Sequence, residues 1–162
     1  MTLNQVTSQA RAQYLSFVLC GEEYAVNILR VKEIIEYDAL TRVPSMPSSV
    51  RGVINLRGRV VPVVDLAARF GLPASGVTRR SCIVMVELTD NGESVVLGVI
   101  ADAVSQVLDL APNEIEPPPS FGTTVSSRFI EGMAETGNKF VIILDVDRAL
   151  NGAEMSAELL AS

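Results

Sequence analysis

Short apolar runs separated by tight polar turns account for most of the chain. Runs of this length, rich in Val and Ile and partly alternating with polar residues, are typical of β-strands. They occur at residues 14–19, 24–28, 51–56, 59–64, 83–88, 95–100 and 139–144. Two-residue turn signals join two pairs of these runs, at Arg57-Gly58 and at Asn91-Gly92. The pattern therefore predicts an all-β fold.

Helical signals are few and short. One helical turn is predicted near residues 29–30, followed directly by another strand. Asp65 precedes a short Ala-containing segment that ends at Gly71, which is the pattern of a capped helical turn. Residues 153–161 predict an amphipathic C-terminal helix.

The chain contains an internal duplication. Residues 51–70 align without a gap on residues 131–150, and residues 24–35 align on residues 97–108. The aligned pairs include Gly52 with Gly132, Asp65 with Asp145, Val31 with Val104, and Ile34 with Val107. A single β unit of this size buries little core. We therefore expect two small barrels, related by a pseudo-two-fold axis, with an aliphatic crevice between them.

The domain organisation follows from this duplication. Residues 1–12 are polar, without periodicity, and are expected to form a flexible tail. Residues 13–152 form the folded domain, with barrels at approximately 13–76 and 77–152. The pattern leaves open an exchange of strands between the barrels. Residues 153–162 are expected to form the C-terminal helix and tail.

Composition excludes several function classes. The 162 residues include no His and no Trp, which rules out Ser-His-Asp and Cys-His catalysis and imidazole-based zinc sites. We expect no cofactor and no metal, because the sequence shows neither a ligand cluster nor a cofactor fingerprint. The net charge of −6 argues against nucleic-acid binding.

The cysteines and the termini suggest a compartment. Cys20 and Cys82 lie in apolar runs and are expected to be buried thiols in a reducing environment. The N-terminal residues show no secretory signal, and no apolar run approaches the roughly 20 residues that span a bilayer. These features predict a cytoplasmic protein.

Asp65 and Asp145 are the remaining candidates for acid/base chemistry, because they are carboxylates at equivalent positions of the duplication. A carboxylate-based hydrolase is therefore the alternative from another function class. Each residue also fits an N-cap, since each stands between a strand and a helical turn, and this interpretation is favoured.

Three separated blocks resemble the CheW family, the coupling proteins of bacterial chemotaxis. Residues 51–66 read RGVINLRGRVVPVVDL and match the family pattern [RK]GxxNLRGxxxPxxDL. Residues 24–34 read YAVNILRVKEI, and residues 97–108 read LGVIADAVSQVL. The resemblance covers residues 13 to 152 approximately.

The resemblance implies two five-stranded SH3-like barrels and an adaptor without catalytic activity. Such an adaptor joins the cytoplasmic tips of methyl-accepting receptors to the regulatory domain of the histidine kinase CheA. It reaches the membrane only through those receptors. The motif residues that would meet the receptor are Ile28, Val31, Glu33, Arg57, Val104 and Val107. The motifs assign no individual kinase contact.

Alternatives remain both for the roles of the six residues and for the pathway that the protein serves. The four aliphatic residues also fit a core position, and Glu33 and Arg57 also fit a solvated strand and an ordinary turn. The same module could serve a pilus-motility or other chemosensory pathway. A CheV protein adds a receiver domain, for which 162 residues leave no room.

Overall fold

The computed structural model describes residues 11–38, 40–42, 44, 49–72, 76–90, 92–118 and 127–150. The predicted C-terminal helix lies outside these residues, as does most of the predicted N-terminal tail. The first strand already begins at Ala12.

The described residues are mainly β-structure. The strands are β1 (Ala12–Leu19), β2 (Glu22–Asn27), β3 (Val31–Glu36), β4 (Val50–Leu56), β5 (Arg59–Val64), β6 (Cys82–Asp90), β7 (Glu93–Ala101), β8 (Ala103–Leu110), β9 (Ile115–Glu116), β10 (Ile130–Thr136) and β11 (Lys139–Leu144). Two short helices, α1 (Leu66–Arg69) and α2 (Val146–Ala149), follow β5 and β11. Three 3-10 turns occupy Ile28–Arg30, Pro112–Glu114 and Ser127–Phe129.

These strands form two sheets, which we call barrel 1 and barrel 2. Barrel 1 has the strand order β3-β6-β7-β5-β4, and barrel 2 has the order β8-β1-β2-β11-β10-β9. The prediction of an all-β fold with two SH3-like barrels is confirmed. The extra strand of barrel 2 is the two-residue β9, and barrel 1 has a counterpart in the isolated bridge between Thr41 and Val53.

The barrels do not coincide with residues 13–76 and 77–152, because strands are exchanged. Barrel 1 is one continuous stretch from β3 to β7, inserted between β2 and β8 of barrel 2. The chain crosses between barrels at the 3-10 turn of residues 28–30 and again at Asp102. Apolar periodicity identifies strands but not their partners, so the sequence alone could not assign this exchange.

The duplication is visible in the hydrogen-bonding register. The β4–β5 ladder shifts between Val50 and Gly52, and the β10–β11 ladder shifts between Ile130 and Gly132, at equivalent positions. Both glycines allow a neighbouring backbone to approach closely. A Cβ at Gly52 would lie 2.7 Å from the carbonyl oxygen of Thr41, and one at Gly132 would lie 2.8 Å from that of Glu116.

A parallel contact closes each barrel in the same way. Val63 of β5 pairs with Gly98 of β7, and Ile143 of β11 pairs with Ala25 of β2. All four positions correspond through the duplication. The two helices also meet, because the Nε of Arg69 donates to the carbonyl of Ala149, its equivalent position, at 3.1 Å. The pseudo-axis therefore passes between α1 and α2.

Three apolar clusters stabilise this arrangement. The interior of barrel 1 contains Val61, Val63, Ile83, Met85 and Ile100, and the interior of barrel 2 contains Tyr14, Ala25, Leu108, Leu110, Ala134, Val141 and Ile143. A larger cluster, here called the seam, joins the barrels and includes Leu15, Phe17, Tyr24, Val84, Val86, Val99, Ile142 and Leu144. The seam therefore joins the two thin sheets through one shared apolar core.

Most turns follow their sequence signals. Arg57 and Gly58 have φ values of 52° and 83°, the left-handed conformation that a two-residue hairpin turn requires. The turn predicted over residues 89–92 is shorter in the structure. Thr89 pairs with Ser94 and Asp90 with Glu93, because a tight turn allows these polar residues to extend the ladder.

Candidate functional site

The first crossover between the barrels presents two of the predicted receptor-contact residues. The Oδ1 of Asn27 accepts a hydrogen bond from the Leu29 amide at 2.9 Å and caps the 3-10 turn. Ile28 within this turn and Val31 directly after it are partly buried and pack against the seam. Both positions therefore combine a packing role with a surface that a partner can reach.

Strand β8 supplies the other two aliphatic residues. Val104 pairs with Phe17 and is partly buried against the seam. Val107 pairs with Leu15 and is 50% exposed. Ile34, which is equivalent to Val107 in the duplication, is also exposed, at 44%. Each barrel therefore places an exposed aliphatic residue beside the seam at the same position of the repeat.

Glu33 and Arg57 form a two-pronged ion pair. The Arg57 Nη1 and Nη2 atoms donate to Glu33 Oε1 and Oε2 at 2.9 and 2.8 Å. These hydrogen bonds hold the pKa of Glu33 below its usual value. The Arg57 side chain is 72% exposed, so its guanidinium can also bind a carboxylate of a partner.

A β-bulge separates these polar residues from Val31. The β3–β6 ladder pairs Val31 with Val86 and then, after a register shift, Glu33 with Met85. Val86 belongs to the seam, whereas Met85 belongs to the interior of barrel 1. Glu33 therefore lies on the opposite face of β3 from Val31.

The six predicted residues thus fall into two adjacent groups. Ile28, Val31, Val104 and Val107 border the seam, and we call them the aliphatic strip. Glu33 and Arg57 line an open cavity of about 520 Å³ at the mouth of barrel 1, together with Val60, which is 67% exposed. The sequence did not indicate this separation, because the bulge that causes it has no Gly or Pro signal.

One prominent cluster was not predicted. Arg30, in the 3-10 turn, forms a two-pronged ion pair with Asp147 of α2, with Nη2–Oδ2 and Nη1–Oδ1 distances of 2.6 and 3.1 Å. The two residues are 117 positions apart. The duplication gives no hint of the contact, because Ala103 and Ala67 occupy the equivalent positions.

Asp65 and Asp145 act as N-caps. Asp65 Oδ1 accepts from the Ala68 amide at 3.3 Å, and Asp145 Oδ1 accepts from the Arg148 amide at 3.0 Å. Asp65 is also buried beside Arg51, with 3.4 Å between Arg51 Nε and Asp65 Oδ2. Both carboxylates are thus engaged in holding α1 and α2, each at the end of its own barrel.

Within the residues that the structure describes, no group of three or more His, Cys, Asp or Glu side chains is arranged to hold a metal ion. None of the helices in these ranges combines the length and apolar character needed to cross a membrane.

Comparison with known proteins identifies the family. The model of the CheW-like domain matches residues 13–154. The chain is 34% identical to the chemotaxis protein CheW of Klebsiella aerogenes, covering 89% of this chain and 84% of that protein. It is 32% identical to the CheW of Rhizobium meliloti, covering 90% and 91%.

A solved structure gives the same result. The crystal structure of the scaffolding protein TtCheW from Thermoanaerobacter tengcongensis superimposes with a TM-score of 0.74 at 38% identity, covering 83% of this chain and 84% of the other. The family match, the sequence relatives and the fold agree. The chain belongs to the CheW family and is a non-catalytic scaffold protein of chemotaxis.

Proposed function

We propose that this scaffold couples the cytoplasmic tips of methyl-accepting receptors to the regulatory domain of the kinase CheA. The aliphatic strip binds the apolar face of the receptor tip, and the Glu33–Arg57 pair forms polar contacts beside it. The protein acts in the cytoplasm and reaches the membrane through the receptors. By holding receptor and kinase together, it raises their effective concentration for one another.

The observation that supports this proposal is the position of the strip. Ile28, Val31 and Val104 pack against the seam, and Val107 pairs with the seam residue Leu15. Partly exposed aliphatic side chains arranged along one edge fit an amphipathic helix, whose apolar residues recur every three or four positions.

Charge supports a local rather than a global attraction. The chain carries a net charge of −6, so a partner is not attracted by overall charge unless it is basic. Binding then depends on apolar contact along the strip and on the exposed guanidinium of Arg57.

The decisive experiment measures binding to the soluble cytoplasmic tip of a receptor from the same genome. Val107→Asp introduces a charge into the strip at a half-exposed site, where the fold tolerates it. Val77→Asp is the matched control, because Val77 is also 50% exposed but lies outside the strip. We expect Val107→Asp to weaken binding by about tenfold or more, as for charge in an apolar interface, and Val77→Asp to leave it unchanged.

Coupling requires a second measurement with the kinase. Receptor-containing vesicles, CheA and this chain are co-sedimented, and kinase activity is recorded in the pellet. Wild-type protein should bring CheA into the pellet and change its activity, and Val107→Asp should fail to do so. Equal binding of wild type and of both Val107→Asp and Val31→Asp would refute the strip as the receptor site.

A further inference from the structure

Arg30 and Asp147 are the centre of a four-residue contact, here called the cross-barrel clamp. Beyond their own ion pair, Arg30 Nη1 donates to the carbonyl of Glu87 at 3.3 Å. Asp147 Oδ1 accepts from the amide of Thr89 at 3.3 Å. Both side chains are about one-third exposed, at 35% and 37%, so solvent screens their interaction only in part.

The clamp links one element of each barrel to the crossover that connects them. Asp147 lies on α2, which follows β11 of barrel 2, whereas Glu87 and Thr89 lie on β6 of barrel 1. Arg30 lies in the crossover that connects β2 to β3. A single carboxylate therefore fixes the crossover and one strand of barrel 1 to barrel 2.

Among the residues that the structure describes, no equivalent ion pair holds the second crossover. Ala103 and Ala67 occupy the positions equivalent to Arg30 and Asp147. Asp102, which forms that crossover, donates its amide to the Val18 carbonyl at 2.9 Å and accepts from the Cys20 amide at 3.0 Å. These bonds tie it to the β1–β2 hairpin of barrel 2. Because the duplicated fold forms its second crossover without an ion pair at these positions, the fold itself does not require one there.

The clamped crossover is the one that carries receptor-contact positions. Arg30 lies between Ile28 and Val31, and its guanidinium ties the 3-10 turn to Asp147 of α2. The other half of the aliphatic strip, Val104 and Val107, lies on β8 of barrel 2. The distance between the two halves of the strip thus depends on how the crossover is held to barrel 2.

We infer that Arg30 and Asp147 are positioning residues that hold the two halves of the aliphatic strip in the arrangement that binds the receptor. This inference rests on the proposed function. The clamp does not need to touch the receptor. It acts by reducing the conformational freedom that binding would otherwise have to restrict.

The test compares receptor-tip affinity with stability in four variants of the full chain. Arg30→Met and Asp147→Asn remove the ion pair, and Arg30→Lys keeps the charge but loses the two-pronged geometry. Arg148→Met is the control, because it removes the ion pair of Arg148 with Asp145 within the α2 region without affecting a cross-barrel contact. Affinity is measured by calorimetry on fully folded protein, and unfolding free energy by urea titration.

We expect Arg30→Met and Asp147→Asn to weaken binding by about fivefold to tenfold, as for a local coupling. Arg30→Lys should weaken binding less than Arg30→Met does. Methyl resonances of Ile28 and Val31 should shift in the unbound variants. Arg148→Met should lower affinity by less than about twofold, within the range of exposed pairs.

Two results would overturn the inference. The first is unchanged affinity in Arg30→Met and Asp147→Asn despite reduced stability, which would make the clamp purely structural. The second is an equal loss in Arg148→Met. Neither affects the proposed function, which fails only if wild-type protein does not bind the receptor tip or if charge in the strip has no effect.

Discussion

Glu131 occupies in barrel 2 the position that Arg51 occupies in barrel 1. Arg51 lies beside the cap carboxylate of Asp65, with 3.4 Å between Nε and Oδ2, so opposite charges meet there. Glu131 instead faces the cap carboxylate Asp145. Burial and then the charge of Asp145 raise the pKa of Glu131, and Arg30 opposes that change. The two repeats thus contain an attractive and a repulsive pair at the same position.

This repulsion predicts a pH-dependent gain from Glu131→Gln. A carboxyl whose pKa is raised on folding costs stability once the pH rises from its unfolded value, near 4.5, through the folded value. At pH 7 we expect Glu131→Gln to be more stable than wild type, by less than about 1 kcal/mol because the site is partly solvated.

The gain should disappear below about pH 4, where the glutamate is protonated in both states. Urea unfolding at pH 4 and pH 7 measures the difference. Glu135→Gln, on an exposed position of the same strand, is the control for the general change in charge. A gain that is equal at both pH values would show that charge is not the cause.

Replacing the two N-cap residues should cost different amounts of stability. Asp145→Ala removes a cap and should destabilise by about 1 kcal/mol. Asp65→Ala also removes the carboxylate beside Arg51, whose Nε is buried with no hydrogen-bond partner among the described residues. We expect this variant to lose about 2–3 kcal/mol of stability. Asp65→Asn keeps a cap acceptor and loses the charge, so its stability should lie between wild type and Asp65→Ala. Equal costs for Asp65→Ala and Asp145→Ala by urea titration would contradict this account.

Gly52→Ala tests the close approach of backbones in barrel 1. A Cβ at this position would lie 2.7 Å from the Thr41 carbonyl oxygen, which must move. We expect a loss of about 1–3 kcal/mol, as for overpacking of a tight site. Gly76→Ala is the matched control, because a Cβ there meets no atom within 4 Å. Thermal or urea unfolding compares the two, and similar stabilities would rule out the steric explanation.

Arg57→Gly separates recognition from folding. Arg57 has a φ of 52°, which glycine adopts freely, so the turn survives the loss of the guanidinium. The pair with Glu33 is exposed, so we expect the unfolding free energy of the variant to stay close to that of the wild type. Receptor-tip binding should weaken by about fivefold, as for a charge-assisted hydrogen bond. Arg59→Met removes a neighbouring cation from the same cavity and should have little effect; an equal loss there would show that Arg57 has no specific role.

The apolar runs predicted most of the strands, because burial gives them periodic signals, but they did not include β8, β9 or β10. The run at residues 59–64 coincides with β5, and the turn before β3 is the 3-10 turn Ile28–Arg30. Asp65 and Asp145 were correctly interpreted as caps, since both stand between a strand and a short helix. The duplication also predicted the equivalence of Gly52 and Gly132.

The rest depended on contacts between distant parts of the chain. The pairing of Arg30 with Asp147 joins two halves that differ at this point, so neither periodicity nor repetition reveals it. The bulge between Val31 and Glu33 reverses the face of every later residue in β3, and a one-residue shift has no compositional signature. The predicted site residues remain a proposal, and the bulge divides them into two surfaces.

The insertion of barrel 1 within barrel 2 has a consequence for biosynthesis. Strands β1 and β2 leave the ribosome first, but their partners β8 and β11 are made only after all of barrel 1. At about 5–20 residues per second, the early hairpin waits roughly 4–15 s before the first residue of β8 is added. Barrel 1 can complete its own sheet before β10 and β11 are added, because all its strands are consecutive and end at Ala101. Barrel 1 can therefore provide a folded surface against which Phe17 and Tyr24 are buried before barrel 2 closes.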